Sequence, residues 1–475
     1  MRRTALSLAS ITVLAVAGCS APSDTAVAQS EASSAPLREG TTPTQASDSY
    51  YQSAAEAVET RIQERGVKSA KNIILFVGDG MSIPTITAAR IYAGQQRGLD
   101  GESYTLAMDT LPYMALSKTY SHDYQVSDSA STATAMVTGA KVNSRTLGIL
   151  KEAGFGNCAS VEGRTTESIF ELAERSGLAT GLVSTARLTH ATPASTFAKT
   201  PSRDWEADSD LKGGDAGDCK DIARQFIEWS EGDGFEVAMA GGRAPFTTTE
   251  QSDAEDANRT GSRTDGRDLT AEWTAKSADH VYVTDKAGFE AIDFASNAKV
   301  LGLFEGSHMK FALDRDEDPA GEPSLVDLTK AAITRLSQDE DGFVLMVEGG
   351  RIDHGHHGVS AARALSETDE LDQALAAAAA GSRARGAAAG EDAAGHAGEQ
   401  RHSVPDGDDE RLHAGKLGNR DRARSRADPG QGRSFPRGRE TGDFRSRADA
   451  ARAFKAGRAL PGPRAFSVAR LGGPR

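Results

Sequence analysis

The residues best suited to chemistry in this 475-residue chain lie in the stretch VEGGRIDHGHH, at positions 347–357. It places Glu348, Asp353 and His357 at spacings of five and four, and carboxylate and imidazole groups are common ligands of divalent metal ions. If the loop turns into a helix, Asp353 and His357 lie at i and i+4 and face the same side. The alternative interpretation is a polar loop with solvated histidines, but the density of donors favours a metal site.

A second candidate ligand, Asp79, lies between two glycines in KNIILFVGDGM, at positions 71–81. The apolar run before it predicts a buried strand that ends close to the aspartate. Glycines on both sides allow the backbone to approach an ion or a phosphate closely. Taken alone, an aspartate between glycines is equally consistent with a residue that only shapes a turn.

A candidate nucleophile, Ser129, lies in VSDSASTATAMVTGAK, at positions 126–141. The small hydroxyl residues predict a helix that begins near Ser129 and is capped by Ser127 or Asp128. A serine at the amino end of a helix lies in a positive field that favours an alkoxide and an anionic substrate. The alternative is that this SDS sequence is a cap with no further role.

Three further polar residues follow along the chain. His190 and Thr192 lie in STARLTHATPASTF, and Arg203 lies in PSRDW. The guanidinium of Arg203 is a planar fork of donors that suits phosphate. Single residues of these types are mostly structural or solvated, so none of the three indicates a function by itself.

The elements that must position these side chains alternate between strand and helix over residues 67–377. Strand-like runs such as NIILFV, GLVST, KVLGLF and FVLMV are separated by helix-like runs such as ITAARIYAGQQ and LVDLTKAAITRL. This alternation predicts an α/β fold in one large domain, with a mostly parallel central sheet and helices on both faces. In such a sheet, sites are built at the carboxyl ends of the strands, where the candidate residues lie.

Taken together, these motifs resemble those of the alkaline phosphatase family. Their sequences are closer to those of the animal-type and related bacterial members than to those of the enteric bacterial type. The resemblance extends over residues 71–376 and rests on GDGM, DSASTATA, THATPAST, SRDW, GLFEGSHMKF and VEGGRIDHGHH, in that order. It implies hydrolysis of phosphate monoesters through a phosphoserine intermediate, at a site with two zinc ions and one magnesium ion.

The resemblance also implies a role for each residue that matches a family motif. The implied roles are Ser129 as nucleophile; Arg203 as phosphate-binding guanidinium; Asp79 as the ligand shared by one zinc and the magnesium; Thr192 and Glu348 as magnesium ligands; Asp353 and His357 as ligands of the other zinc; Asp128, His190 and His354 beside the substrate and the metals; and Cys158 with Cys219 as a disulfide. Histidine at both 190 and 354 is the animal-like state.

The sequence departs from the family after residue 380. The family's TADH-like motif, which supplies two ligands to the serine-activating zinc, is absent, and so is a later zinc-binding histidine. Residues 381–475 hold 18 Arg against 2 Lys, with only ten residues of Val, Leu and Phe and no Ile, Met, Trp or Tyr. They carry a net charge of +8, whereas residues 1–380 carry −22. Such a composition buries too little apolar surface for a core.

Two explanations of this tail are open. The favoured hypothesis is a reading-frame shift in a GC-rich gene near residues 376–381, which replaces the family's carboxyl-terminal part. The alternative is an authentic basic extension on a shortened enzyme. As an alternative to an active enzyme, the chain is a catalytically impaired family member that acts at most as a phosphate- or metal-binding lipoprotein. A third possibility is a misfolded product without function.

The amino terminus predicts export. MRRTALSLASITVLAVAGC has two Arg, a short apolar stretch and small residues before Cys19, and VAGC resembles the lipobox of bacterial lipoproteins. We expect a signal peptide at 1–18 and a flexible tether at 19–66, which a lipid on Cys19 anchors to the membrane. An incomplete catalytic domain at 67–377 and a tail at 378–475 follow. An ordinary cleaved secretory signal is the alternative. An oxidising envelope favours pairing of Cys158 with Cys219.

The partners implied are small phosphomonoesters and, through the resemblance, a second copy in a homodimer. The acidic net charge of −14 argues against nucleic acid as a partner.

Overall fold

One parallel sheet organises the part of the chain that the computed structural model describes, namely residues 42–65, 70–111, 113–211 and 216–391. The strands in these ranges are β1 (Ile73–Gly78), β2 (Ala179–Arg187), β3 (Val237–Gly241), β4 (His280–Val283), β5 (Lys299–Leu303) and β6 (Phe343–Gly349). They form a six-stranded sheet in the order β1-β6-β2-β3-β5-β4, and every neighbouring pair is parallel.

Helices occupy the connections between the strands, as expected for parallel pairing. The helices in the described ranges are α1 (Ser49–Arg65), α2 (Ile83–Gln96), α3 (Ser129–Thr138), α4 (Ile169–Arg175), α5 (Ala191–Ala194), α6 (Ile222–Ile227), α7 (Leu269–Ala275), α8 (Lys286–Glu290), α9 (Leu325–Leu336), α10 (Arg351–His357) and α11 (Ala361–Glu391). Short 3-10 turns are found at Thr44–Ser47, Met108–Thr110, Cys158–Ser160, Asp208–Leu211, Ala244–Phe246 and Arg315–Glu317.

Two hydrophobic cores lie on opposite faces of this sheet. Ile74 and Phe76 of β1 belong to one core, which also receives apolar residues of α9 and α11. Leu75 and Val77 belong to the other core, which receives residues of α3, α4, α6 and α7. Successive strand residues point to opposite faces, and a strand covered on both faces is apolar throughout. The predicted α/β class, with a mostly parallel sheet between helices, is therefore confirmed.

The two ends of the predicted catalytic domain differ from the sequence expectation. Within the segment expected to be a flexible tether, the buried side chain of Gln45 donates to the carbonyls of Thr138 and Glu167, and Asp48 pairs with Lys151. At the other end, α11 continues to Glu391, past the predicted boundary at 377. Its alanine-rich sequence has a high helix propensity, which explains the extension.

Several predictions fall on residues outside the described ranges. These are the signal peptide at 1–18, the lipid anchor at Cys19, the first part of the tether and residues 392–475 of the tail. None of the helices in the described part of the chain has an apolar stretch long enough to cross a lipid bilayer.

Candidate active site

The candidate site lies at the carboxyl ends of three adjacent strands, β1, β6 and β2. Asp79 follows the last residue of β1 directly, and Glu348 is the penultimate residue of β6. In the parallel register, Glu348 is paired with Val77 on one side and Ser184 on the other. Ser184 Oγ donates a hydrogen bond to Glu348 Oε2, which fixes the direction of that carboxylate. The sheet thus brings together two acids that are 269 positions apart in the sequence.

Ser129 is the first residue of α3, and its hydroxyl is directed at Asp79. Ser129 Oγ donates to Asp79, at 3.0 Å from Oδ1 and 2.8 Å from Oδ2. Of the two caps that the sequence allowed, the structure uses Asp128, whose carboxylate accepts hydrogen bonds from backbone N–H groups of the first turn. The positive end of this ten-residue helix therefore lies at the serine.

Arg203 is held between two of the other predicted site residues. Its Nη1 donates to Asp128 Oδ2 at 3.0 Å, and its Nη2 lies 2.9 Å from His190 Nε2. Burial, followed by the charge of Arg203, lowers the pKa of His190 well below its ordinary value, so the imidazole is neutral and can accept this hydrogen bond. These two contacts orient a planar guanidinium beside Ser129, where it can grip two oxygens of a phosphoryl group.

The carboxylates of Asp79 and Glu348 are buried close to each other, and the charge of Arg203 offsets their burial only in part. Burial raises the pKa of both groups; repulsion from Asp353 adds to the effect on Asp79, and repulsion from Asp79 adds to that on Glu348. A buried like-charged pair of this kind is costly unless a cation neutralises it. These two acids and His190 present ligand atoms within 4.8 Å of one another.

Unpaired atoms in the same cluster indicate where a cation fits. Glu348 Oε1 and His190 Nδ1 are buried and have no hydrogen-bond partner among the described residues. The side chain of Thr192 acts to lower the pKa of Glu348 against the effect of burial, and it adds a hydroxyl oxygen to the cluster. Hard oxygen donors with an open position suit Mg²⁺. The residues predicted to hold magnesium therefore fit that ion.

The second predicted metal pair, Asp353 and His357, lies on α10. His357 Nε2 is 3.3 Å from Asp353 Oδ2, as the i and i+4 spacing requires. Gly80 allows the turn after β1 to lie against Asp353: a Cβ atom at Gly80 would lie 2.5 Å from Asp353 Oδ1, and its φ of +63° is one that glycine adopts freely. Among the described residues no third carboxylate, histidine or cysteine joins this pair, so it offers two of the four ligands that zinc takes.

His308 is a site residue that the sequence interpretation did not single out. Its ring centroid lies 5.4 Å from that of His190 and 4.2 Å from that of His354. It also contacts Arg187, whose guanidinium is paired with Glu206. His308 lies in GLFEGSHMKF, shortly after β5, so its position after a strand end was a usable signal.

The remaining predicted residues lie as follows. His354 stands beside His190, with ring centroids 5.6 Å apart, and burial lowers its pKa to about 4. Cys158 and Cys219 are joined in a disulfide with Cα atoms 5.7 Å apart. All the predicted nucleophile, phosphate and metal residues thus meet at one edge of the sheet, while their chemical roles stay predictions.

Comparison with known proteins finds similarity to alkaline phosphatases in a family model and in individual relatives. Residues 70–386 match the family model described as alkaline phosphatase. The chain is 43% identical over 339 residues to a membrane-bound alkaline phosphatase of Bombyx mori, covering 69% of this chain. It is 41% identical over 326 residues to the tissue-nonspecific alkaline phosphatase of Gallus gallus, covering 66% of this chain.

Solved structures agree with these sequence matches. An alkaline phosphatase from the Antarctic bacterium TAB5 has a TM-score of 0.51 and 27% identity, covering 67% of this chain and 77% of that one. A histidine-to-glutamate variant of that enzyme is described with magnesium bound. The present chain spans 61% of the length of the Bombyx mori and Gallus gallus relatives.

Proposed function

This chain belongs to the alkaline phosphatase family, and on that premise we propose that it hydrolyses phosphate monoesters through a phosphoserine intermediate on Ser129. The observation that carries the proposal is the position of Ser129 Oγ. It lies at a helix amino terminus, 2.8 Å from an Asp79 oxygen, in a cluster that also holds Arg203. A nucleophile, an acceptor for its proton and a phosphate-binding fork are the groups that phosphoryl transfer requires.

The first half of the reaction transfers the phosphoryl group to the protein. Ser129 Oγ attacks phosphorus while its proton leaves along the hydrogen bond to Asp79. The bond from phosphorus to the leaving alkoxide breaks, and that alkoxide takes a proton from solvent. Arg203 holds two phosphoryl oxygens bidentately and keeps the attacking and leaving oxygens in line.

The second half releases inorganic phosphate. Water attacks the phosphoserine and releases a proton to solvent, the bond between Ser129 Oγ and phosphorus breaks, and the serine oxygen takes back the proton held by Asp79. Arg203 again balances the charge on the phosphoryl oxygens. Asp128 and His190 hold the guanidinium in the same place through both halves.

Zinc and magnesium, when bound, would supply Lewis-acid charge that stabilises the developing alkoxides and the phosphoryl oxygens. Asp79, Thr192 and Glu348 would hold magnesium, and Asp353 and His357 would supply two ligands to one zinc. For the zinc next to Ser129, the described residues offer Asp79 alone among the predicted ligands.

We further propose that the chain is exported and anchored to the cell envelope through Cys19, because VAGC follows a short apolar stretch at the amino terminus. The Bombyx mori relative is described as membrane-bound, which is consistent with a membrane location. The homodimer implied by the family resemblance is part of the same proposal.

A hydrolysis assay with a trapping step tests the proposed function. Purified protein, with zinc and magnesium added, is assayed with p-nitrophenyl phosphate at alkaline pH, and the phosphorylated peptide is identified by mass spectrometry after acid quenching. Ser129→Ala should abolish both turnover and labelling. Ser160→Ala serves as the control, because this hydroxyl has only local contacts beside Gly154 and Asn157. Turnover by Ser129→Ala equal to that of the wild-type protein would overturn the proposal.

A further inference from the structure

Arg145 has a backbone conformation that is unusual for its residue type. Its φ is +67°, in the left-handed region that residues other than glycine, asparagine and aspartate seldom adopt. Backbone outliers of this kind cluster at functional sites, where the surrounding structure holds them in place. The contacts that hold Arg145 therefore indicate what the residue does.

Both main-chain groups of Arg145 bond to the phosphate-binding part of the candidate site. Its N–H donates to Asp128 Oδ1 at 2.9 Å, and its carbonyl accepts from the backbone N–H of Arg203 at 2.9 Å. The other oxygen of the Asp128 carboxylate accepts from the Arg203 guanidinium. The backbone of Arg145 and the guanidinium of Arg203 are therefore separated by the width of one carboxylate group.

The side chain of Arg145 lies at the rim of this part of the site and is open to solvent. It is 52% exposed, and among the described residues its guanidinium donates to one acceptor, the carboxylate of Asp204, which is 55% exposed. The Arg145 Cζ atom lies 5.0 Å from the centre of the Phe155 ring. Stacking on this ring orients the planar guanidinium, whose remaining N–H groups can donate to an oxyanion.

Main-chain contacts hold together the segments that carry the two arginines and the ring. Leu147 and Thr200 exchange two backbone hydrogen bonds, and the N–H of Gly156 donates to the carbonyl of Pro201. None of these bonds involves an arginine side chain. A substitution at position 145 can therefore remove the guanidinium while this framework remains.

We propose that Arg145 is a specificity-determining residue, which binds a carboxylate on the leaving group of the phosphate ester. This inference rests on the proposed function, because Arg203 must hold the phosphoryl group for the leaving group to reach Arg145. The contact with Asp204 is a pattern for the proposed one, since the same guanidinium already takes a carboxylate there. An exposed ion pair contributes little free energy, so a carboxylate of the ligand can take the place of Asp204.

Two phosphonates that differ in one carboxylate test the role of Arg145. Phosphonopropionate carries the carboxylate, butylphosphonate has an ethyl group in its place, and neither contains an ester bond to hydrolyse. Calorimetry with the full chain, at fixed zinc and magnesium concentrations, gives the ratio of the two Kd values. Arg145→Gly and Arg145→Asn both tolerate a positive φ, so each should lower the preference for phosphonopropionate by about fivefold.

Asp204→Asn should change the ratio in the opposite direction. Removing the carboxylate that competes for the guanidinium should raise the preference for phosphonopropionate by roughly threefold. The control is Arg259→Gly, which removes an arginine that is 70% exposed and paired with Asp256, and it should leave the ratio unchanged.

Equal weakening of both phosphonates by the two substitutions of Arg145 would overturn the inference. The residue would then act only through its backbone contacts with Asp128 and Arg203. An unchanged ratio in these variants, or a lower preference for phosphonopropionate in Asp204→Asn, would overturn it as well.

Turnover separates this inference from the proposed function. With phosphoglycolate and ethyl phosphate as substrates, Arg145→Gly should raise the KM for phosphoglycolate and keep its kcat, because the carboxylate is bound equally before and during phosphoryl transfer. A changed Kd ratio in a protein without turnover would support the carboxylate site and count against the function. Turnover with an unchanged ratio would support the function and overturn the carboxylate site, and failure to bind either phosphonate would overturn both.

Discussion

Asp128 joins the helix that carries Ser129 to the guanidinium of Arg203. Its Oδ2 lies 3.0 Å from Arg203 Nη1, while its side chain also accepts hydrogen bonds from backbone N–H groups in the first turn of α3. Burial acts to raise the Asp128 pKa, but the backbone N–H of Arg145 and the charge of Arg203 outweigh it, and the pKa lies below its ordinary value. The residue therefore positions the nucleophile and the phosphate-binding group together.

Because the Asp128 carboxylate competes with a phosphoryl group for Arg203, Asp128→Asn should bind inorganic phosphate more tightly. We expect roughly a fivefold gain, about 1 kcal/mol, as for a partly exposed ion pair. Asparagine is also a good helix cap, so the free energy of unfolding should fall only by the roughly 1 kcal/mol of the ion pair that is lost. Asp128→Ala should lose about 1 kcal/mol more, because the cap is lost as well. Calorimetry with phosphate and urea unfolding measure the two effects; weaker phosphate binding by the asparagine variant would contradict this account.

Arg203→Lys should weaken phosphate binding although the charge is kept. Lysine cannot make the bidentate contact or keep the planar contact with His190, so we expect a loss of about 2 kcal/mol, a factor of roughly thirty. Calorimetric titration with inorganic phosphate measures it. The control is Arg259→Lys, which alters an ion pair with Asp256 whose arginine side chain is 70% exposed. Equal affinities for the two lysine variants would exclude a bidentate role for Arg203.

Magnesium should stabilise the protein through Glu348. A divalent ion that neutralises Glu348 and Asp79 adds about 2.7 kcal/mol to the free energy of unfolding at a concentration a hundred times its Kd, and so raises Tm. Glu348→Gln should abolish this rise in Tm, and in the presence of chelator it should melt above the wild type, because one of two repelling buried charges is gone. Thermal unfolding with Mg²⁺ and with EDTA measures both. The exposed Glu340→Gln is the control, and an undiminished magnesium shift in Glu348→Gln would place the ion elsewhere.

The sequence predicted the sheet and most of the site because both depend on local patterns. In a chain where strand-like and helix-like runs alternate, continuous apolar runs such as residues 73–77 and 343–347 predict strands that are buried on both faces. Strand ends then place Asp79 and Glu348 at the same edge. The spacing of Asp353 and His357 is satisfied by a single helix turn.

The features that were not predicted depend on contacts between distant segments. His308 joins the site because β5 and the loop after it bring it against His190 and Arg187, a pairing that no local spacing encodes. Gln45 is buried by contacts with Thr138 and Glu167, although its own surroundings in the sequence read as a polar tether. Tertiary contacts override local composition at both places.

Loss of the disulfide should cost stability without disrupting the site. Cys158 and Cys219 close a loop with a sequence separation of 61, for which loop-closure entropy gives a stabilisation of about 4 kcal/mol at most. The double substitution of both cysteines by serine should lower the free energy of unfolding by about 2–4 kcal/mol. Urea unfolding measures the change, and phosphate binding below the unfolding transition should be unaltered. A matching loss of phosphate affinity would show that the disulfide positions site residues as well.

Glu174 should make stability fall as the pH rises. Burial, helped by repulsion from Glu236 and Asp233, raises its pKa from 4.5 to about 7, despite a hydrogen bond from Thr180. Because the folded state binds this proton more tightly than the unfolded chain, the contribution is fully present below about pH 4.5 and is lost as the pH passes through about 7.

Glu174→Gln should therefore flatten the pH dependence of stability in this window. The amide does not ionise, so the difference in unfolding free energy between variant and wild type should grow in favour of the variant from about pH 4 to about pH 8. The increase should amount to no more than about 3 kcal/mol. Comparing the two proteins at each pH cancels the contribution of other raised carboxyls, such as Glu322 and Glu367. Parallel stability curves would mean that Glu174 ionises in the folded protein as it does in the unfolded chain.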